Sequence, residues 1–154
     1  MHGMWGCASV AVETQGGFWL VLGLMVLLFP VPVTAGICLA AAIHESGHIL
    51  AIRIAGGRIR RLVLHASGAV LEMDPLGPGK TLSCALAGPA AGALTILAWK
   101  FFPELALAGL VQTVYNLLPL YPLDGGRAWR AAGELLSDRR MGGSCGFDSK
   151  NIYR

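Results

Sequence analysis

His44-Glu45-Ser46-Gly47-His48 stands inside an apolar stretch, about Ala35 to Ala55, of the length a membrane helix needs. Two histidines four residues apart lie on one face of a helix. Both imidazoles can then reach one zinc ion, with the glutamate beside them. Ionisable side chains are costly inside a hydrophobic span, so three of them within five residues point to a use. The stretch predicts a membrane helix that carries the makings of metal-dependent hydrolysis.

Working outward, the rest of the chain fits a bilayer better than water. Hydrophobic residues make up 55% of its 154 residues and charged residues 14%, against roughly 25% charged in soluble domains. Thr14–Ile43, Thr81–Trp99 and Leu105–Leu123 contain no Asp, Glu, Lys, Arg or His. The first run is too long for one straight helix, and Pro30 and Pro32 divide it into a short helix near Gly17–Phe29 and the helix bearing the two histidines. The expected fold class is an all-α membrane protein of about four transmembrane helices. A small β-hairpin is expected between the second and third, where Ile59, Leu62–Leu64 and Ala69–Leu71 read as strands joined through Ala66-Ser67-Gly68.

With a cytoplasmic N-terminus, four crossings place eleven of the twelve basic residues on the cytoplasmic side, leaving only Lys100 outside. That arrangement, with a net charge of only +3, disfavours a nucleic-acid partner. No Lys or Arg precedes Arg53, so the first apolar run lacks the basic start of a cleaved signal peptide. Cys7, Cys38, Cys84 and Cys145 form no CxxC pair and read as small buried hydrophobes.

A catalytic zinc usually takes a third protein ligand and leaves one position open. Ile54 stands where a metzincin would place its third histidine. Glu72 is a weaker candidate, on an expected strand beyond the membrane edge. Asp124 is the stronger one. It closes Asn116-Leu117-Leu118-Pro119-Leu120-Tyr121-Pro122-Leu123-Asp124-Gly125-Gly126, where two prolines prevent a regular helix and two glycines allow a sharp turn. Broken backbone at membrane depth survives only where it is buried or lines a cavity, so this segment is expected to end the fourth helix and aim a carboxylate inward. Asn116 offers a donor and an acceptor in the same apolar surroundings.

HESGH and NLLPLYPLDGG together, with Ala87-Gly88-Pro89 between them, resemble the site-2 protease family of intramembrane zinc metalloproteases. The resemblance is narrower to the bacterial branch that includes the sporulation factor IVFB proteases, and it covers roughly residues 17–130. It implies that His44, His48 and Asp124 bind Zn2+ and that Glu45 is the catalytic base. Asn116 and the neighbouring prolines would then shape the substrate site. It also implies a core at 17–130, preceded by a lead-in at 1–16 and followed by a polar cytoplasmic tail at 131–154. The expected location is a bacterial cell membrane with both termini cytoplasmic. The expected partners are the lipid bilayer and a membrane-associated protein substrate cut in or near its transmembrane segment, with a regulatory membrane protein as a further candidate. The hairpin would pair with extended substrate as an added strand. Two other readings stand beside this one: a non-catalytic zinc transporter or sensor, which leaves Glu45 unexplained, and an inactive substrate-binding relative. Members of the branch commonly continue with further membrane helices, which this chain does not show after Asp124.

Overall fold

Prolines open three of the helices. In the computed structural model, which describes residues 11–66 and 68–141, α2 (Val31–Ile54), α3 (Pro78–Leu94) and α4 (Pro103–Asn116) each carry a proline in the first turn. There the missing N–H would have had no partner and the fixed φ suits the helix. Pro32 therefore belongs to α2, which begins four residues before the expected Ala35. The other helices are α1 (Gly16–Leu28) and α5 (Asp124–Met141), and a short 3-10 turn, Thr95–Ala98, extends α3. Cys7, Cys145, the first ten residues and the 142–154 part of the tail lie outside the described residues.

Two corrections concern irregular regions. The hairpin is part of a three-stranded sheet. β1 (Ala11–Thr14), within the expected lead-in, runs parallel to β2 (Ile59–His65), which pairs antiparallel with β3 (Gly68–Met73). Val63 is thus paired on both sides, to Glu13 and to Val70, and β1 and β3 are the two edges of the sheet among the described residues. Ion pairs lace the exposed sheet: Arg61 to Glu72 at 2.6 Å and to Glu13 at 3.3 Å, and Arg60 to Asp74 at 2.7 Å. The fourth helix does not reach Asp124. It stops at Asn116, residues 117–123 fold into turns with a cis Tyr121–Pro122 bond, and Asp124 begins α5. The cause is the one expected, prolines that a helix cannot absorb, but the carboxylate sits at a helix start instead of a helix end. Past residue 130 the chain stays helical as far as Met141, with Ala128 and Ala131 buried.

The helices pack through small residues. α3 lies against α2 and α5, and α2 also against α4. A β-carbon on Gly36 would come within 3.0 Å of the Glu104–Leu105 backbone, and one on Gly47 within 2.5 Å of the Ala87 carbonyl oxygen. Close backbone approach of this kind is how helices associate where water supplies no hydrophobic drive. A larger cluster of Ile52, Leu76 and Cys84 closes the end next to the sheet. Gly56, at φ +76°, terminates α2 in a conformation that other residues adopt at a cost.

Two helical stretches, Val31–Ile54 and Pro78–Ala98, are long and apolar enough to cross a membrane; α1 and α4 are shorter. Only 28% and 39% of the two apolar windows are buried, which is not how a soluble protein treats its core helices. Leu50 and Ile54 on α2, Leu94 and Leu97 at the end of α3, and Leu20, Leu27 and Leu28 on α1 all face outward. So many outward-facing apolar side chains on the helices suit a non-aqueous neighbour. Cys38 joins that outer face and Cys84 is buried, which corrects the expectation for Cys38; both are free thiols.

Candidate metal centre

His44 and His48 are buried on α2, one turn apart, on the face turned toward α3 and the start of α5. Asp124 is also buried, and its place in the first turn of α5 suits a carboxylate, because unpaired N–H groups and the positive end of the helix dipole lie there. Gly125 and Gly126 do not make a sharp turn, and neither has a positive φ. A β-carbon on Gly125 would strike the Leu117 and Leu118 carbonyls, and one on Gly126 would lie 2.6 Å from the Leu120 carbonyl oxygen. The glycines let the 117–121 segment lie directly on the helix that carries Asp124.

The three side chains converge. His44 Nε2 lies 3.0 Å from Asp124 Oδ2, His48 Nε2 lies 3.1 Å from the same oxygen, and the two Nε2 atoms are 3.2 Å apart. His48 Nδ1 sits 2.8 Å from the carbonyl oxygen of Cys84. A carbonyl can only accept, so Nδ1 carries the hydrogen and the Nε2 lone pair of the neutral ring faces the cluster. A lone pair and a carboxylate oxygen at 3.1 Å repel unless a proton or a cation lies between them. His44 Nδ1 is buried without a hydrogen-bond partner.

This arrangement fits a zinc ion. Two imidazole nitrogens and one carboxylate oxygen are its ordinary ligands, and the carbonyl behind His48 is the usual partner that fixes a ligand's tautomer. Tetrahedral ligands about 2.0–2.2 Å from zinc lie roughly 3.3–3.6 Å from one another. The three donors here, all within 4.8 Å, need open by only a few tenths of an ångström.

Glu45 is half-buried beside the cluster, and Asn116 is half-buried at the last residue of α4. Glu72 is not in the cluster; it is exposed on β3 and engaged by Arg61. Two contributors were missed in the sequence. The Cys84 carbonyl is backbone and leaves no mark on residue choice. Gly88 makes room for the His48 ring, because a β-carbon there would overlap the imidazole. Its place one turn after Cys84 was the available signal.

No family model matches the chain. It is 30% identical over 137 residues to a zinc metalloprotease of Methanocaldococcus jannaschii, an alignment covering 80% of this chain and 37% of that protein. The chain therefore spans little more than a third of that curated relative. Its fold matches the solved structure of a site-2 protease from the same organism, with a TM-score of 0.67 and 24% identity over 88% of this chain and 71% of the other. The chain thus shares the fold of that solved structure.

Proposed function

We propose that this chain is the catalytic core of a zinc metalloprotease of the site-2 protease family, acting on membrane-associated proteins. The observation that carries the reading is the buried meeting of His44, His48 and Asp124 on two different helices, eighty residues apart in sequence for His44 and Asp124. The metalloprotease relative and the site-2 protease fold support it. The narrower IVFB-like branch rests on the sequence motifs alone, since both relatives come from Methanocaldococcus jannaschii.

In this reading His44, His48 and Asp124 hold zinc, which when bound acts as a Lewis acid on water and on the scissile carbonyl. Glu45 accepts the proton of the attacking water and delivers it to the leaving amine. Asn116 holds the substrate backbone, and the neighbouring 117–123 segment shapes the approach. The substrate helix must unwind first, because its carbonyls are otherwise paired within the helix. Extended substrate adds to the open edge of β3. α1 and α4, too short for a straight crossing of a hydrocarbon core of about 30 Å, complete a four-helix membrane portion together with α2 and α3. The termini face the cytoplasm, in keeping with the basic residues at Arg53–Arg61 and beyond Arg127.

The test is zinc content and cleavage of membrane-anchored reporter segments, measured side by side in detergent. Wild type is expected to hold about one zinc per chain and to cleave. Glu45→Gln keeps the zinc and loses cleavage, and Asp124→Ala loses both. A silent Glu45→Gln would point to a non-catalytic zinc protein, and full zinc retention in Asp124→Ala would remove Asp124 from the ligand set.

A further inference from the structure

We propose that Thr113 is a positioning residue for the metal centre: its hydroxyl takes the hydrogen of His44 Nδ1 and so turns the His44 Nε2 lone pair toward the metal. The inference deepens the metalloprotease reading and rests on it.

The two ligand histidines are not equally supported. His48 has the Cys84 carbonyl behind it, at 2.8 Å. His44, only 2% exposed, has no hydrogen-bond partner at Nδ1. A neutral imidazole carries a hydrogen on one nitrogen and a lone pair on the other. If His44 presents a lone pair at Nε2, Nδ1–H must be buried, and a buried donor without an acceptor loses its water without compensation. The opposite tautomer would send an N–H into the ligand cluster and leave the lone pair behind. A ligand histidine therefore needs an acceptor on its far side.

Thr113 supplies one. It is buried on α4 beside Gly92 of α3. A β-carbon on Gly92 would lie 2.6 Å from Thr113 Oγ1 and 3.5 Å from His44 Nδ1, so the glycine leaves a small space bordered by both atoms. The hydroxyl donates to the Pro89 carbonyl oxygen at 3.3 Å, a long bond that commits its hydrogen and leaves the oxygen lone pairs available. The Pro89 carbonyl takes the hydroxyl hydrogen, so toward His44 the oxygen can act only as an acceptor. For this the His44 ring must turn when metal binds, so that Nδ1–H meets this oxygen across the space Gly92 leaves. Gly92 is then needed for space, as Gly88 is for His48. Each ligand histidine on α2 would have an acceptor behind it and a glycine of α3 beside it.

Thr113→Val keeps the branched shape and removes the hydroxyl; Thr113→Ser keeps the hydroxyl and removes a methyl. Zinc affinity is measured by competition with a chromophoric chelator in detergent, and the thermal midpoint of the metal-free protein is followed in parallel. The expected result is a loss of about 10- to 100-fold in zinc affinity for Thr113→Val, as for other partners of metal-bound histidines, with recovery to within a few-fold in Thr113→Ser. The metal-free midpoint should move little. Unchanged affinity in Thr113→Val overturns the proposal. So does a loss that Thr113→Ser shares, because packing would then be the cause. If Thr113→Val does not fold, Thr113→Ser and Thr113→Ala, which differ only in the hydroxyl, give the same comparison: a zinc affinity lost in Thr113→Ala alone supports the proposal, and equal affinities overturn it. Wild type that binds no zinc would instead remove the metalloprotease reading, an outcome separate from equal binding by all variants.

Discussion

His48 donates from Nδ1 to the carbonyl oxygen of Cys84 at 2.8 Å, and one turn further along α3 Gly88 leaves the space that the His48 ring fills. One helix thus fixes both the tautomer and the position of a side chain carried by another. The arrangement of the HESGH histidines depends on α3 as much as on the segment itself.

Gly88→Ala should therefore damage the site without touching a ligand. The added β-carbon overlaps the imidazole of His48, which must swing away or push the helices apart. Overpacking of this kind costs about 1–3 kcal/mol, or roughly 5- to 160-fold in zinc affinity if the ring bears the strain. Gly133→Ala is the control, since nothing lies within 4 Å of a β-carbon there. Equal zinc affinity in the two variants would show that α3 does not position His48.

Metal removal should weaken the fold itself. The cluster gathers two imidazoles and a carboxylate at 3.0–3.2 Å, and a cation that binds only the folded chain stabilises it by mass action. At free zinc a hundredfold above Kd the gain is about 2.7 kcal/mol. Stripping the metal with a chelator should lower the thermal midpoint, and zinc but not magnesium should restore it. In Asp124→Ala the midpoint should respond to neither treatment.

Much of this site is legible in the sequence because its signals are local. Four-residue spacing puts His44 and His48 on one face wherever that segment is helical, and Pro119 and Pro122 must break a helix ahead of Asp124. What the sequence conceals is set by distant partners. Ala11–Thr14 is a strand only because β2 lies beside it, and four residues carry no period long enough to read. The polar stretch after Arg130 remains helical to Met141 although its composition suggested a tail, because Ala128 and Ala131 bury against the bundle. The acceptor for His48 is a backbone atom, which residue identity does not reveal.

Glu72, which lies outside the His44–His48–Asp124 cluster, offers a pH-dependent test and a check on the proposed ligands. The hydrogen bond from Arg61 at 2.6 Å holds its carboxyl below the ordinary value of 4.5. A carboxyl depressed in the folded state stabilises above its unfolded pKa and loses that contribution as pH falls through the folded pKa. Amide protection in β2 and β3, with the intrinsic pH dependence of exchange divided out, should accordingly fall on acidification below about pH 4.5 in wild type and show less pH dependence in Glu72→Gln. Because both partners are exposed, the effect should shrink in high salt. Zinc content should be unaffected by Glu72→Gln; a loss would return Glu72 to the candidate ligands.

The order β1–β2–β3 changes how substrate pairing must be probed. Val63→Pro would break a strand bonded on both sides and would report on folding. The informative positions are Val70 and Leu71 on β3, which pair with Val63 and Leu62. Successive residues of a strand direct their N–H groups to opposite sides, so one of these two points toward β2 and the other toward the open edge. Proline at the outward position removes a donor the sheet does not use. That variant should fold, keep its zinc and cleave extended membrane-anchored substrates more slowly, with the loss mainly in KM. Proline at the inward position should loosen the sheet as well, seen as faster amide exchange in β2. If the variant with the intact sheet cleaves at the wild-type rate, substrate does not pair with β3.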